Sequence, residues 1–288
     1  MKKFTLILAM AAVLLAGILS GCGKAEAKVK TVNSGVLTVA LSPDFAPMEF
    51  VDTSKTGQDQ YVGFDVFLAK FLAEEFELKL EIKPMGFDAC QAAVQAGAVD
   101  MAISGFSYLP ERAENFNLSD YYYAGDNETA QIIITSEKNE GKLTKASDYS
   151  GKTVGAQTAS LQMSCCQNQL PKDAVIKEFG NIDTAIEALR NGQIDALAVA
   201  EGNGNVIISN VPGLIASGFQ FEVDESEENN LILLQKGNDE LTALTNKALA
   251  KANEAGYYPK WYEEAQKLAG LDTAQNVVIE DTTEGASQ

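Results

Sequence analysis

The chain has 288 residues, 40 of them acidic and 22 basic, and a formal net charge of −18. That balance excludes the basic face a nucleic-acid or anionic-lipid surface would need. There is no histidine, which excludes Ser-His and Cys-His catalysis and histidine-bound zinc, and the length suffices for one large domain or two small ones.

Lys2 and Lys3 precede an apolar stretch over residues 4–19, and LSGC follows at 19–22. A basic start, an apolar core and small residues before a cut predict a secretory signal over residues 1–21; the stretch is short for a membrane span. Leu-Ser-Gly-Cys resembles a bacterial lipobox, cut before Cys22, which then carries a diacylglycerol. Residues 22–34 are small and charged without apolar periodicity, and read as a linker that tethers the mature chain to the membrane. Cys90, Cys165 and Cys166 remain, odd in number and without zinc spacing, so a disulfide framework is not expected. They read as small buried hydrophobes, with a bond between the adjacent pair, or from one of them to Cys90, left open in an oxidising compartment.

GVLTVAL (35–41) reads as a strand and SPDFAPMEF (42–50) as a loop. Residues 63–76 are expected to form a helix, with Phe64, Phe67, Leu68, Phe71 and Leu72 on one face. LKLEIKPM (78–85) alternates as a strand, FDACQAAVQAG (87–97) is a helix closed by Gly97, and DMAIS (100–104) is a buried strand. SGFSYLPER (104–112) follows. Pro110 and Glu111 suit a helix start, which leaves two readings of Arg112: a surface residue on a first turn, or an anion clamp at a strand's carboxyl end.

AVQAGAVDMAIS (93–104) is echoed by ALRNGQIDALAV (188–199): a helix end, a glycine, two residues, an aspartate and an apolar strand at the same spacing. KTVGAQ (152–157) and AVIKEF (174–179) supply the preceding strands, so the βαβαβ unit of residues 35–104 recurs at 152–199. Two similar α/β lobes follow. Ligands in such sheets lie beyond the strand carboxyl ends, here residues 42–45, 104–112, 157–162 and 200–203. NLILLQKG (230–237) is a further strand and residues 238–265 are helical with a break at AGYY. These are expected to return to the first lobe, giving crossovers near 121–131 and 225–231. The resulting layout is lobe 1 over 35–122 and 231–270, lobe 2 with hinge segments over 123–230, and a disordered acidic tail over 271–288.

The segments LTVALSPDFAPMEF, YVGFDVFLAKFLAEEF, MGFDACQAAVQAGAVDMAISGFSYLPERAENFNLSDYYYAG, GKTVGAQTASLQ and NKALAKANEAGYYPKWYEE resemble the polar amino-acid-binding lipoproteins of ABC importers, solute-binding family 3. The likeness runs over residues 35–268. It implies an α/β, two-lobed, type II periplasmic-binding-protein-like fold, and a receptor that captures a free amino acid and delivers it to a permease. The expected protein is a monomer without cofactor or metal, held on the outer face of the cell membrane by its lipid.

By the same resemblance, Arg112 grips the ligand α-carboxylate in a two-bond fork, which suits its planar donors and permanent charge. Gly105 adds a backbone N–H and Ser107 a hydroxyl, the Ser104 carbonyl helps take the ammonium, and Ser160 and Leu161 supply N–H donors near a helix start. Phe45 and Phe87 flank the ligand side chain, and Phe106 sits in the carboxylate loop. Ser42 stands where histidine- and glutamine-binding members carry an aspartate, which favours a neutral or polar uncharged ligand side chain. Ala200 stands where the family has its ammonium-binding aspartate, so Glu201, one residue on, is the candidate for that role. Two rivals remain: a sensing module for a membrane partner, and a cyclohexadienyl-dehydratase-like enzyme, for which neither Glu201 nor Asp44 has a visible partner. The acidic run at 222–229 lacks calcium-loop spacing, and GNGN at 202–205 is not a phosphate loop.

Overall fold

In the first strand, β1 (Val36–Leu41), Leu37, Val39, Ala40 and Leu41 are fully buried although they alternate between faces. A strand apolar on both faces belongs in the middle of a sheet covered on both sides, and that is where the computed structural model has it. The structure describes residues 29–122, 130–224, 227 and 229–271. The signal segment, Cys22, much of the linker, most of the tail and parts of both expected crossovers lie outside the described residues. The elements below all belong to the compact unit spanning residues 31–288.

β1 runs parallel to β5 (Lys79–Pro84) and β6 (Met101–Ser107). On the far side of β6 lies antiparallel β13 (Asn230–Gln235), and then β7 (Phe116–Leu118), for the order β5-β1-β6-β13-β7. The second sheet repeats this plan. β9 (Thr153–Gln157) is parallel to β10 (Val175–Phe179) and β11 (Ala196–Ala200), while β8 (Gln131–Ser136) and β12 (Leu214–Gln220) complete it antiparallel, in the order β10-β9-β11-β8-β12. The fold is therefore α/β with two lobes, and β13 carries the chain back into the first sheet. Helices α1 (Phe64–Glu75), α2 (Phe87–Gln95) and α3 (Pro110–Asn115) belong to the first pass. The second lobe has α4 (Leu161–Gln169), α5 (Ile182–Arg190) and α6 (Glu201–Asn210). After β13 come α7 (Asp239–Glu254) and α8 (Tyr258–Leu268), and Lys251 of α7 reaches Glu75 of α1 at 2.6 Å.

The echoed aspartates do the same physical work in both lobes. The Thr38 N–H donates to Asp100 Oδ2 at 2.7 Å, and the Asp100 N–H donates back to the Thr38 carbonyl at 3.0 Å. The Thr153 N–H donates to Asp195 Oδ2, and the Asp195 N–H to the Thr153 carbonyl, both at 2.8 Å. Each carboxylate thus closes the start of one parallel pair, where a backbone donor would otherwise lack a partner. Gly97 and Gly192 precede them with φ of 65° and 68°, the left-handed conformation that ends a helix cheaply only at glycine.

Two stretches differ from the sequence expectation. Residues 42–62 contain a small antiparallel sheet, β2 (Asp44–Phe45), β3 (Glu49–Val51) and β4 (Tyr61–Val62), although a loop is expected over 42–50. Residues 201–210, with glycines at 202 and 204, form a helix rather than the loop end of a strand. Packing overrides propensity there: a Cβ on Gly204 would lie 2.9 Å from Ile132 Cδ1, so only glycine lets α6 seat on β8. Cys90, Cys165 and Cys166 are free and buried, so the disulfide left open by the sequence is not formed. Burial pushes the Cys165 and Cys166 thiols up to about 12. Among the described residues no helix is long and apolar enough to cross a membrane.

Candidate ligand-binding site

Where the carboxyl ends of β1 and β6 meet the end of β9 and the start of α4, nine residues line one cavity: Phe45, Phe87, Ser104, Gly105, Ser107, Arg112, Gln157, Leu161 and Gln162. About 20 Å³ is left there for the centre of a water molecule to move in, enough for about one water. The lobes are closed on each other.

Arg112 lies on the first turn of α3, behind Pro110, as one reading has it, but at only 2% exposed it is not a surface residue. Its Nη1 donates to the Ser107 carbonyl at 2.6 Å and its Nη2 to the Ala159 carbonyl, on the opposite lobe, at 2.8 Å. The buried Nε–H has no acceptor among the described residues. Behind it Phe87 and Phe106 stack at 4.6 Å, with the guanidinium carbon 5.5 and 5.2 Å from their ring centres. These are cation–π distances. Burial pushes the guanidinium down to about 10, with Glu111 pulling weakly the other way, so it stays charged at neutral pH. None of the seven ion pairs among the described residues involves Arg112. A buried, charged guanidinium held only by neutral carbonyls has unmet demand for an anion.

Two buried carboxyls, Glu49 and Asp65, touch the segment 104–105, and a third, Asp44, faces the second lobe. Glu49 is fully buried, and desolvation, then the Asp65 charge, drives it well above the usual range. Ser104 Oγ donates to it. Asp65, also fully buried, is raised by desolvation to about 6, although it accepts the Gly105 N–H at 2.8 Å and the Tyr122 hydroxyl at 3.0 Å. Two buried carboxyl oxygens of this pair, Glu49 Oε2 and Asp65 Oδ1, have no hydrogen-bond partner among the described residues. Asp44 is raised to about 6, again by desolvation first.

The structure brings together seven of the expected site residues: Phe45, Phe87, Ser104, Gly105, Ser107, Arg112 and Leu161. The Gly105 N–H, expected to face a ligand, is instead taken by Asp65. Gly105 serves in another way: a Cβ there would lie 2.8 Å from Phe45 Cε1, so its absence lets the ring lie against the loop. Phe106 is fully buried and backs Arg112, because strand alternation turns it to the face opposite Gly105 and Ser107. Ser42 is 1% exposed, and its hydroxyl donates to Asp44 at 2.8 Å. Ser160 caps α4 by accepting the Met163 N–H at 3.1 Å. Glu201 is half-buried at the first residue of α6, outside the cavity lining. Ser42, Phe106, Ser160 and Glu201 are thus not part of the wall.

Gln157 and Gln162 join it. Both lie in the strand-end segment that the topology singles out, but nothing in their residue type marks them. Gln157 donates its amide to Asp44 at 3.3 Å and Gln162 to Gln131 at 2.6 Å, so each keeps its Oε1 as an acceptor. Among the described residues no three metal-ligating side chains cluster.

A lone buried arginine between two βαβαβ lobes narrows the possibilities. Residues 37–266 match the bacterial extracellular solute-binding proteins, family 3. The chain belongs to this family. Over 261 residues it is 30% identical to the arginine-binding extracellular protein ArtP of Bacillus subtilis, covering 90% of this chain and 96% of that protein. A probable histidine-binding protein of Neisseria gonorrhoeae is 29% identical over 271 residues, covering 91% and 94%. Among solved structures, the amino acid ABC transporter substrate-binding protein AbpA of Streptococcus pneumoniae, bound to L-arginine, has a TM-score of 0.73 at 32% identity, covering 82% of this chain and 96% of that one. This family 3 protein shares with these relatives the type II two-lobed α/β architecture.

Proposed function

We propose that the protein is the extracytoplasmic receptor of an ABC importer, which closes its lobes over a free amino acid without altering it and presents it to a permease. The observation that carries this reading is Arg112: buried, charged and bonded only to the carbonyls of Ser107 and Ala159. A ligand carboxylate supplies the missing charge, and the Ser107 hydroxyl stands beside it in the lining. The ammonium finds acceptors in the Ser104 carbonyl and in the amide oxygens of Gln157 and Gln162. The ligand side chain lies between Phe45 and Phe87.

A neutral or polar uncharged side chain suits this wall best. Arg112 is the one charged residue among those lining it, and a cationic side chain would meet no carboxylate there. Relatives named for arginine make the cationic amino acids the natural counter-test. A thermal-shift panel of the twenty amino acids plus cystine decides it, since a ligand at 100 times its Kd adds about 2.7 kcal/mol. Stabilisation by a neutral amino acid and not by arginine is the expected result; stabilisation by arginine alone overturns the side-chain assignment, and by none of the panel the receptor reading.

The chain is further proposed to act as a monomer held to the membrane through a lipid on Cys22. Detergent-phase partitioning that Cys22→Ala abolishes is the expected behaviour.

A further inference from the structure

One segment of the first lobe makes a separate set of contacts with the second, beside the cavity. Asp44 is 7% exposed and its carboxylate is divided between lobes. Oδ1 accepts from Ser42 Oγ at 2.8 Å on its own side, while Oδ2 accepts the Ile182 N–H at 2.6 Å and Gln157 Nε2 at 3.3 Å from the other. Ile182 is the first residue of α5, so its N–H has no acceptor within that helix. The Asn181 side chain does not help, because it accepts the Thr184 N–H instead. The carboxylate therefore meets an orphan donor at the positive end of a helix.

The next two residues continue the pattern with different chemistry. The Phe45 ring packs against the second lobe's core cluster, which includes Phe179, Ile182 and Leu197. The Ala46 carbonyl accepts Asn203 Nδ2, from α6, at 2.9 Å. On the first lobe, Asp44 pairs with Phe50 and Phe45 with Glu49 in the small sheet, so the segment is backed by its own strands.

We propose that residues 44–46 are a closure latch: a carboxylate, a ring and a carbonyl that engage the second lobe only while the cleft is shut, and so set how long a ligand is retained whatever its side chain. Asp44 and Asn203 act by positioning the lobes and touch no ligand. Water replaces each polar contact when the lobes part, so the latch biases opening by a modest factor and does not lock the cleft. The inference rests on the receptor reading for its purpose, but its contacts are testable without ligand.

The test is amide hydrogen exchange in the ligand-free chain, read at Ile182 and the first turn of α5. Asp44→Ala removes the acceptor and should speed exchange about tenfold, the size expected for one net hydrogen bond. Asp44→Asn keeps a side-chain oxygen for the same N–H and should stay near wild type. Asn203→Ala touches neither Ile182 nor Asp44, yet it should speed exchange at Ile182 as well, because it weakens another part of the same latch. Exchange at Ile182 that responds to Asp44→Ala and ignores Asn203→Ala would make Asp44 a local helix cap and overturn the latch. So would no response to either, or an Asp44→Asn as fast as the alanine variant. If Asp44→Ala fails to fold, the other two variants still decide. A panel in which no amino acid binds would sink the receptor reading and leave this outcome standing.

Discussion

The Arg112 guanidinium donates to the carbonyl oxygen of Ala159 across the cleft at 2.8 Å. Ala159 holds that carbonyl from a left-handed conformation, φ 60°, which is uncommon outside glycine. A neutral carbonyl is a weak partner for a buried cation, and a ligand carboxylate would displace it readily. Arg112→Ala should therefore weaken binding by about 3–5 kcal/mol, enough to turn micromolar binding into millimolar or weaker. Arg112→Lys should fail too, since a point charge does not reproduce the fork. The unliganded variant should melt no lower than wild type, because an uncompensated buried charge has been removed. Calorimetry and thermal melting check both halves.

Gly105 is held at φ 55° with Phe45 directly over it. Gly105→Ala forces the new Cβ into the ring and places alanine in a strained conformation, at a cost of about 1–3 kcal/mol. Because Phe45 is both cavity wall and latch, affinity should fall with stability, whereas a substitution at exposed Gly57 should leave affinity alone.

Asp44 and Asp65 are raised from 3.8 to about 6 by burial. The folded state thus keeps protons that the unfolded chain releases. Their stabilising contribution is complete below pH 3.8 and is lost as pH rises through about 6, on the order of 1 kcal/mol per pH unit for each carboxyl. Thermal midpoints of the ligand-free chain should be higher at pH 5 than at pH 7, and Asp44→Asn should flatten that slope. A midpoint that climbs from pH 5 to 7 would contradict the burial of these groups.

Glu201 was the acid expected to hold the ligand ammonium. As the first residue of α6 its charge lies near that helix's own N–H groups, and the cavity wall does not include it. Glu201→Gln should cost an amino acid no more than about 1 kcal/mol, and should cost its des-amino analogue the same. A loss of 2–5 kcal/mol for the amino acid alone would return the ammonium to Glu201.

The doubled strand–helix plan could be read from residue order because its signals are local. Apolar runs, a glycine at a helix end and the aspartates at 100 and 195 act on neighbours in one unit, and both copies carry them. Arg112 was legible for the same reason, since strand-end position and residue type together suggest an anion site. Other features depended on packing. α6 forms despite two glycines because β8 and β11 leave room only for a helix without a side chain at 204. Phe106 became core because its face of β6 looks onto Phe87. Asp44 meets Ile182 across 138 residues of chain. No periodicity encodes that meeting, because the approach of the lobes, and the desolvation that comes with it, exists only once both sheets have formed and closed on each other.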